Sequence, residues 1–254
     1  VSLEKTEALV IRQVDFSESS RVVTFFSREF GRFSALAKGA KRLKGPFDAA
    51  LDLLSECRVV FIKKSHGTLN LLTEARLSRR FQPQAKGSAG ALSSLYGGYY
   101  AAELLAGLTE DFDPAPELYQ LTVNTLQSLS DPNADADLVV IHFEISILQQ
   151  IGLFPNLFEC SVCGSAVSTD QKYAHWVSEG GVLCANCRRE EYAGTSVSAG
   201  SIEILRKVMQ ADSPELVSRI VISKQQAQEC HRIAVSAITQ ALGRRPSTLR
   251  YIQI

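Results

Sequence analysis

The chain has 254 residues, 45 % of them apolar, with 27 Lys and Arg balancing 27 Asp and Glu. That length suits one large domain or two to three small ones, each with a core. Val1-Ser2-Leu3-Glu4-Lys5 is charged at once, which argues against a signal peptide. The longest apolar run, Ala89 to Leu108, is broken by Ser93, Ser94, Gly97, Gly98 and Glu103, so a buried helix is expected and no membrane span.

The zero net charge hides an uneven distribution. Residues 1–82 carry 15 Lys and Arg against 9 Asp and Glu, a net +6. Residues 83–156 carry Lys86 alone against 9 acids, a net −8, and residues 157–254 carry 11 against 9, a net +2. Segregation of this kind points to one segment with an anionic partner and another without.

Residues 1–82 read as five strands. Thr6 to Val14 and Arg21 to Ser27 are apolar runs rich in β-branched residues, separated by the polar turn Asp15 to Ser20. Arg32 to Ala37 follows a turn at Gly31, and Leu54 to Lys63 and Thr68 to Leu77 flank the turn Ser65-His66-Gly67, where His66 is expected to face solvent. Five short strands in about 80 residues suit an oligonucleotide-binding (OB) type of barrel. Between the third and fourth strands lies AKGAKRLKGPF, with Lys38, Lys41, Arg42 and Lys44 on a backbone loosened by Gly39 and Gly45. Phosphates need delocalised positive charge on a backbone that can approach closely, and this loop supplies both; a merely solvated loop is the plainer alternative. Arg76, Arg79 and Arg80 extend the basic set, and Phe47 and Phe33 are aromatics able to stack on bases, Phe33 fitting a core position better.

Residues 83–156 switch to helical period. Ala89 to Leu108 is apolar on most sides and reads as the central helix of a bundle. Pro116 starts a helix carrying Leu118, Leu121, Thr125 and Leu129 on one face, and Asp131-Pro132-Asn133 breaks it. Ala136 to Ile151 is a third helix, stopped by Gly152. Further helices are expected at Ser201 to Gln210, from Ser213-Pro214-Glu215, and from Ser223 to Leu242, where Ser223 and Gln226 form a capping box and Gly243 ends the helix.

Between these helical stretches, Cys160 and Cys163 form one Cys-x-x-Cys pair, and Cys184 and Cys187 another. Each pair can place two thiolates on one side of a tight turn, and two such knuckles make a closed all-sulfur cage for one structural Zn²⁺. Gly164 follows the first knuckle, Gly180-Gly181 reads as a turn tip, Val182-Leu183 as a short strand, and Trp176 as a packing residue on this ribbon. Disulfides would need an oxidising compartment, a redox pair a thioredoxin-like context, and a catalytic zinc an open position. Such cages contribute on the order of 10–16 kcal/mol of apparent binding energy in isolated peptides, so the ribbon is expected to order only with metal. Cys57 and Cys230 are expected to be free core thiols in a reducing cytoplasm.

Enzymatic motifs are missing. There is no G-x-x-x-x-G-K-[ST] phosphate loop and no G-x-S-x-G elbow. His142-Phe143-Glu144 with Cys160 and Cys163 imitates part of a zinc-deaminase signature, but Glu159 stands where Pro is needed and Cys184 and Cys187 would lack a role. His142 and Glu144 are read instead as polar positions on an amphipathic helix. No catalytic residue and no small-molecule substrate are expected.

Taken together, EKTEALVIRQVDFSESSRVVTFFSREFGRFSALAKGAKRLKG, YYAAELL, FEISILQQIGLFPNLFECSVCG and SEGGVLCANC resemble the bacterial RecO family of recombination mediators over nearly the whole chain. The resemblance implies an α+β protein with a five-stranded OB-type barrel, an α-helical domain and an embedded four-cysteine zinc ribbon. The expected division is 1–82 for the barrel, 83–156 and 193–254 for the two parts of the helical bundle, and 157–192 for the ribbon. It further implies binding of single- and double-stranded DNA, annealing of complementary strands, and loading of RecA with a RecR partner in the bacterial cytoplasm at the nucleoid. The family also binds the acidic tail of single-stranded-DNA-binding protein; here a basic rim for it would have to come from Arg188, Arg189, Arg206 or Lys207. The rival class is a zinc-ribbon module associated with RNA or transcription, since a barrel of this type does not itself distinguish DNA from RNA.

Overall fold

Alternation of apolar and polar residues makes the first 80 or so positions fold as strands whose two faces see different surroundings. A computed structural model describes residues 2–42, 47–64, 69–83, 88–168, 171–176, 178, 180–190, 196–211, 217 and 220–254. The chain divides into two compact units, Val1–Pro132 and Asn133–Ile254. In the first, β1 (Ser2–Asp15), β2 (Arg21–Ser27), β3 (Gly31–Ala37), β4 (Glu56–Lys63) and β5 (Asn70–Arg79) form a closed barrel in the order β1-β2-β3-β5-β4. Every pairing is antiparallel except β3 with β5. These are the five expected strands with adjusted ends. β1 outruns Thr6–Val14 because it serves two neighbours: residues 2–9 pair with β4 and residues 8–15 with β2. A bulge between Val10 and Arg12 re-aims it between the two. Leu54, expected to open β4, instead turns the chain with φ 66° and donates its N–H to the Val10 carbonyl at 2.8 Å.

The inward faces meet in an aromatic core. Phe33 stacks on Phe61 at 4.3 Å and on Phe25 at 5.2 Å between ring centroids. Phe47, read above as a base-stacking candidate, is 3 % exposed and belongs to this core, because the short 3₁₀ turn Asp48–Leu51 that follows seats it inward. Phe33 is fully buried, as its position suggested. α1 (Ser88–Leu108) packs on β1 and on α2 (Pro116–Ser130), which itself touches β2. α1 is thus a helix laid on the barrel, where the sequence suggested the centre of a bundle. Gly98 permits the approach: a Cβ there would stand 2.7 Å from Leu54 Cδ1 and 2.9 Å from Phe81 Cε1.

The acidic segment between α1 and α2 is clamped to the same barrel. Phe112, at φ 58°, stacks on Phe33 at 6.0 Å and donates its N–H to the Arg32 carbonyl. The Arg32 guanidinium meets Asp111 at 2.7 Å, and the Lys63 ammonium sits 4.3 Å from the Phe112 ring centroid. Gly31 is obligatory beside it, with φ +62° and an Asp113 carbonyl oxygen 1.9 Å from where a Cβ would lie. Gly31→Ala should therefore lower the melting temperature of this unit and loosen the 110–113 segment. Hydrogen exchange at the Phe112 amide reads the second effect directly.

The second unit holds α3 (Ala136–Gln150), α4 (Ala199–Met209), α5 (Lys224–Leu242) and a four-stranded sheet. The sheet runs β6 (Asn156–Cys160), β8 (Gly181–Leu183), β7 (Lys172–Trp176), β9 (Ser196–Ser198) in spatial order. The expected capping box of α5 is present, Ser223 and Gln226 bonding reciprocally, and Gly243 ends the helix at φ 66°. The helix start expected at Ser213-Pro214-Glu215 and the turn at His66 lie outside the described residues. Among the described residues, no helix is long and apolar enough to cross a membrane.

One expectation fails inside α3. His142 and Glu144 do not form a polar face; they are 1 % and 0 % exposed. Both α4 and α5 pack on α3, burying residues 138 to 145 without a break. The carboxylate is accommodated by an ion pair, Glu144 Oε2 lying 2.9 Å from His231 Nδ1 on α5. Burial alone would lower the His231 pKa, but the charge and hydrogen bond of Glu144, with help from Asp137, hold it above its usual 6.5. The folded-state pKa exceeds the unfolded one. The pair's contribution is therefore complete below about pH 6.5 and is lost as pH rises through the folded value. His231→Leu removes the ion-pair partner of a buried carboxylate and should cost about 3–5 kcal/mol, while adding Glu144→Leu should recover much of it. Denaturant unfolding of the three proteins measures both steps, and the wild type alone should lose stability as pH rises from about 6.5.

Candidate metal centre and nucleic-acid interface

The sheet of the second unit exists to bring four sulfurs together. β6 ends in Cys160, and the chain turns at once: Gly164, at φ +71°, donates its N–H to the Cys160 carbonyl at 2.9 Å. β8 lies parallel to β6 and delivers Cys184, after which the Cys187 and Arg188 amides fold back on the Cys184 carbonyl at 3.1 and 3.0 Å. Gly181 allows the strands this close, since a Cβ there would lie 2.4 Å from the Asn156 carbonyl oxygen. The Sγ atoms of Cys160, Cys163, Cys184 and Cys187 all lie within 4.8 Å of one another, with Cys163 and Cys184 at 3.7 Å. Four thiolates at about 2.3 Å from a tetrahedral ion would stand about 3.8 Å apart, so the donor set fits one ion. Among the described residues these four are the one group of three or more potential ligands, and His142 is not in it. All six cysteines are free thiols, with Cys57 and Cys230 buried as expected and each pushed up to about 12 mainly by that burial.

The electrostatics of the cage favour a cation. The hydroxyl and N–H of Ser165 pull Cys163 down to about 6. Burial pushes Cys160 up, but the amides of Cys163, Cys184 and Val162 outweigh it and lower the thiol. The hydrogen bond from Cys187 to Cys163 then pushes Cys187 up to about 12. Four sulfurs this close share protons, and a bound cation would replace them. Ser165, 3.2 Å from Cys163 Sγ, carried no signal in the sequence beyond lying after the knuckle glycine. Cys184→Ser should lose the ion, measured by elemental analysis, and the β6–β9 sheet should exchange its amides faster while the barrel stays protected. A cobalt-substituted wild type should show an all-thiolate spectrum.

The basic candidates occupy two places on the barrel. Lys38, Lys41 and Arg42 are exposed just after β3, whose last residue Ala37 pairs with Leu72 of β5. Lys44 lies outside the described residues. The loop docks on the β1–β2 turn: the Lys41 N–H reaches the Ser19 carbonyl at 3.2 Å, and its ammonium reaches Asp15 Oδ2 at 3.1 Å and the Ser17 carbonyl at 3.3 Å. Asp15 also binds Arg21 at 3.0 Å, and these two cations, Lys41 first, hold its carboxyl below the usual value. Arg76, Arg79 and Arg80 lie exposed along and beyond the end of β5. Arg76 pairs across the strands with Arg58, while Arg79 and Arg80 stand 3.6 and 3.5 Å from Glu56 and Asp52. Lys41, Arg79 and Arg80 thus have carboxylate neighbours that sequence spacing gave no means of seeing.

Arg206, named above for an acidic-tail rim, is engaged within its own unit. It bonds the Leu157 carbonyl at 2.6 Å, stands 3.6 Å from Glu203 and covers the Phe158 ring at 4.8 Å.

A closed five-stranded barrel followed by helices and a four-thiol ribbon defines an α+β protein with a donor set fit for one metal ion. Family models agree on which one: recombination protein O, N terminal, matches residues 1–81, and recombination protein O, C terminal, matches residues 90–250. The chain belongs to the recombination protein O (RecO) family of DNA repair proteins. It is 40 % identical to a DNA repair protein RecO of Rhodopirellula baltica over 210 residues, 82 % of this chain and 75 % of that protein. It is 30 % identical to the RecO of Myxococcus xanthus over 217 residues, 84 % and 86 % of the two chains. The RecO of Desulfatibacillum aliphaticivorans matches at 27 % over 254 residues, 98 % and 95 % of the two.

Proposed function

We propose that the protein is a recombination mediator that binds single- and double-stranded DNA through the barrel and anneals complementary strands without breaking a bond. The observation that carries this reading is the run of exposed cations Lys38, Lys41 and Arg42 just after β3 of a closed five-stranded barrel, where Lys41 is bonded to the β1–β2 turn. Annealing joins two polyanions, so a fixed set of cations that displaces counterions lowers the cost of bringing them together. Arg76, Arg79 and Arg80, at the second place on the barrel, are further candidates for phosphate contact, and the sequence adds Lys44 to the candidates. The cage holds one structural Zn²⁺, supported by its four soft donors and their spacing. The ion closes the ribbon, and no catalytic step involves it.

With a RecR partner the protein helps load RecA onto strands coated with single-stranded-DNA-binding protein, in the bacterial cytoplasm at the nucleoid. Family membership supports these partners. In this reading the barrel, residues 1–82, carries the DNA contacts, and the ribbon, residues 157–192, braces the helical domain.

The salt dependence of binding tests the DNA surface. Each phosphate contact contributes about 0.7 to the slope of log K against log salt for single strands. Lys41→Ala with Arg42→Ala should flatten the slope by about 1.4 and weaken all sequences alike. Asp15→Asn frees Lys41 and Arg21 from their carboxylate and should tighten binding at low salt. A folded double variant with an unchanged slope would move the contact to Arg76, Arg79 and Arg80. Matched RNA competing as well as DNA would favour the RNA-associated class.

A further inference from the structure

The β1–β2 turn that anchors the cation loop also carries an aromatic ring with no core to join. Phe16 is 63 % exposed, while Phe25, Phe26, Phe33, Phe47 and Phe61 of the same barrel are buried. Five hydrogen bonds fix the short turn that displays it. The Phe16 and Ser17 amides both reach the Ser20 carbonyl, at 3.0 and 3.2 Å, and the Ser20 amide reaches Ser17 Oγ at 3.2 Å. From the neighbouring loop, Lys41 binds Ser19 and Ser17 carbonyls through its amide and ammonium. Phe16 follows Asp15, which holds Lys41 and Arg21 at 3.1 and 3.0 Å. Val14, two residues back along the chain, is also 46 % exposed. An exposed phenyl contributes little to folding, whereas one carried on a turn to which Lys41 is bonded offers a π-face to an unpaired base whose phosphates meet the cations of that turn.

We propose that Phe16 is a base-stacking platform, so that this rim distinguishes single strands, whose base faces are accessible, from duplex, whose base faces are covered. The inference rests on the DNA-binding reading of Lys38, Lys41 and Arg42 and adds to it a residue that reads bases where those read phosphates. The two contributions separate experimentally, because stacking is nearly independent of salt and phosphate contact is not.

The test measures binding of an unstructured oligothymidine and of a duplex of equal length across a salt series, for wild type, Phe16→Ala and Phe16→Trp. Phe16→Ala should weaken single-strand binding roughly 5- to 150-fold at every salt concentration, the range for loss of one stacked base. Its salt slope and its duplex affinity should match wild type. Phe16→Trp should retain single-strand binding, and its added indole should be quenched by the oligonucleotide when compared with wild type, whose single Trp is Trp176. Phe16→Ala binding single strands as tightly as wild type would overturn the proposal, as would an equal loss on duplex with a flattened slope, which would make Phe16 a support for the cations. Absence of binding by the wild type would instead overturn the DNA reading of the whole rim, and this proposal with it.

Discussion

A closed ring of five strands must fill its own interior, and that constraint arranges the N-terminal unit. The space is small, so stacked rings fill it: Phe25, Phe33 and Phe61 in the centre, Phe47 from the β3–β4 connection, and Phe112 from the acidic segment after α1. With the interior closed to charge, the excess of Lys and Arg in residues 1–82 has only the outside to occupy. The turns between strands then decide where. After β3, Lys41 is bonded to the turn between β1 and β2, and Asp15 in that turn holds the Lys41 and Arg21 cations.

The C-terminal unit depends on a different constraint. Four thiols within 4.8 Å cannot all ionise unless a cation joins them, yet Cys160 and Cys184 are also members of the hydrophobic cluster that includes Ile141, Ile145, Leu205 and Ile233. An ion held by these four sulfurs would therefore tie directly into the packing of this unit's core. The same core carries a second electrostatic commitment, the buried Glu144–His231 pair, and a third, Glu229, whose carboxylate is held by the Ser198 amide and the hydroxyls of Ser198 and Ser201 at the start of α4. These groups give the helices a defined register at the cost of desolvation.

What could be read from the sequence was what lay close together along it. β2 was placed residue for residue by a run of β-branched and aromatic positions, α5 by Ser223, Gln226 and Gly243, and the sulfur cage by the spacing of its pairs. What escaped depended on groups far apart. Glu144 looked like a surface residue because its partner His231 is 87 positions away. Lys41 looked unpaired because Asp15 is 26 positions away. β1 looked short because only the closed ring shows that it has two neighbours, and Phe47 looked like a ligand-facing aromatic because the turn that seats it inward leaves no periodic trace.

The central claim is that fixed cations on a barrel rim let this protein join complementary strands without an energy source. The most direct measurement follows annealing of complementary oligonucleotides coated with single-stranded-DNA-binding protein, with the purified chain, no nucleotide and no metal beyond what it carries. Duplex formation well above the protein-free rate, falling as salt rises, is the predicted result. Annealing that requires ATP, or none at any salt concentration with folded, metal-loaded protein, would contradict the account.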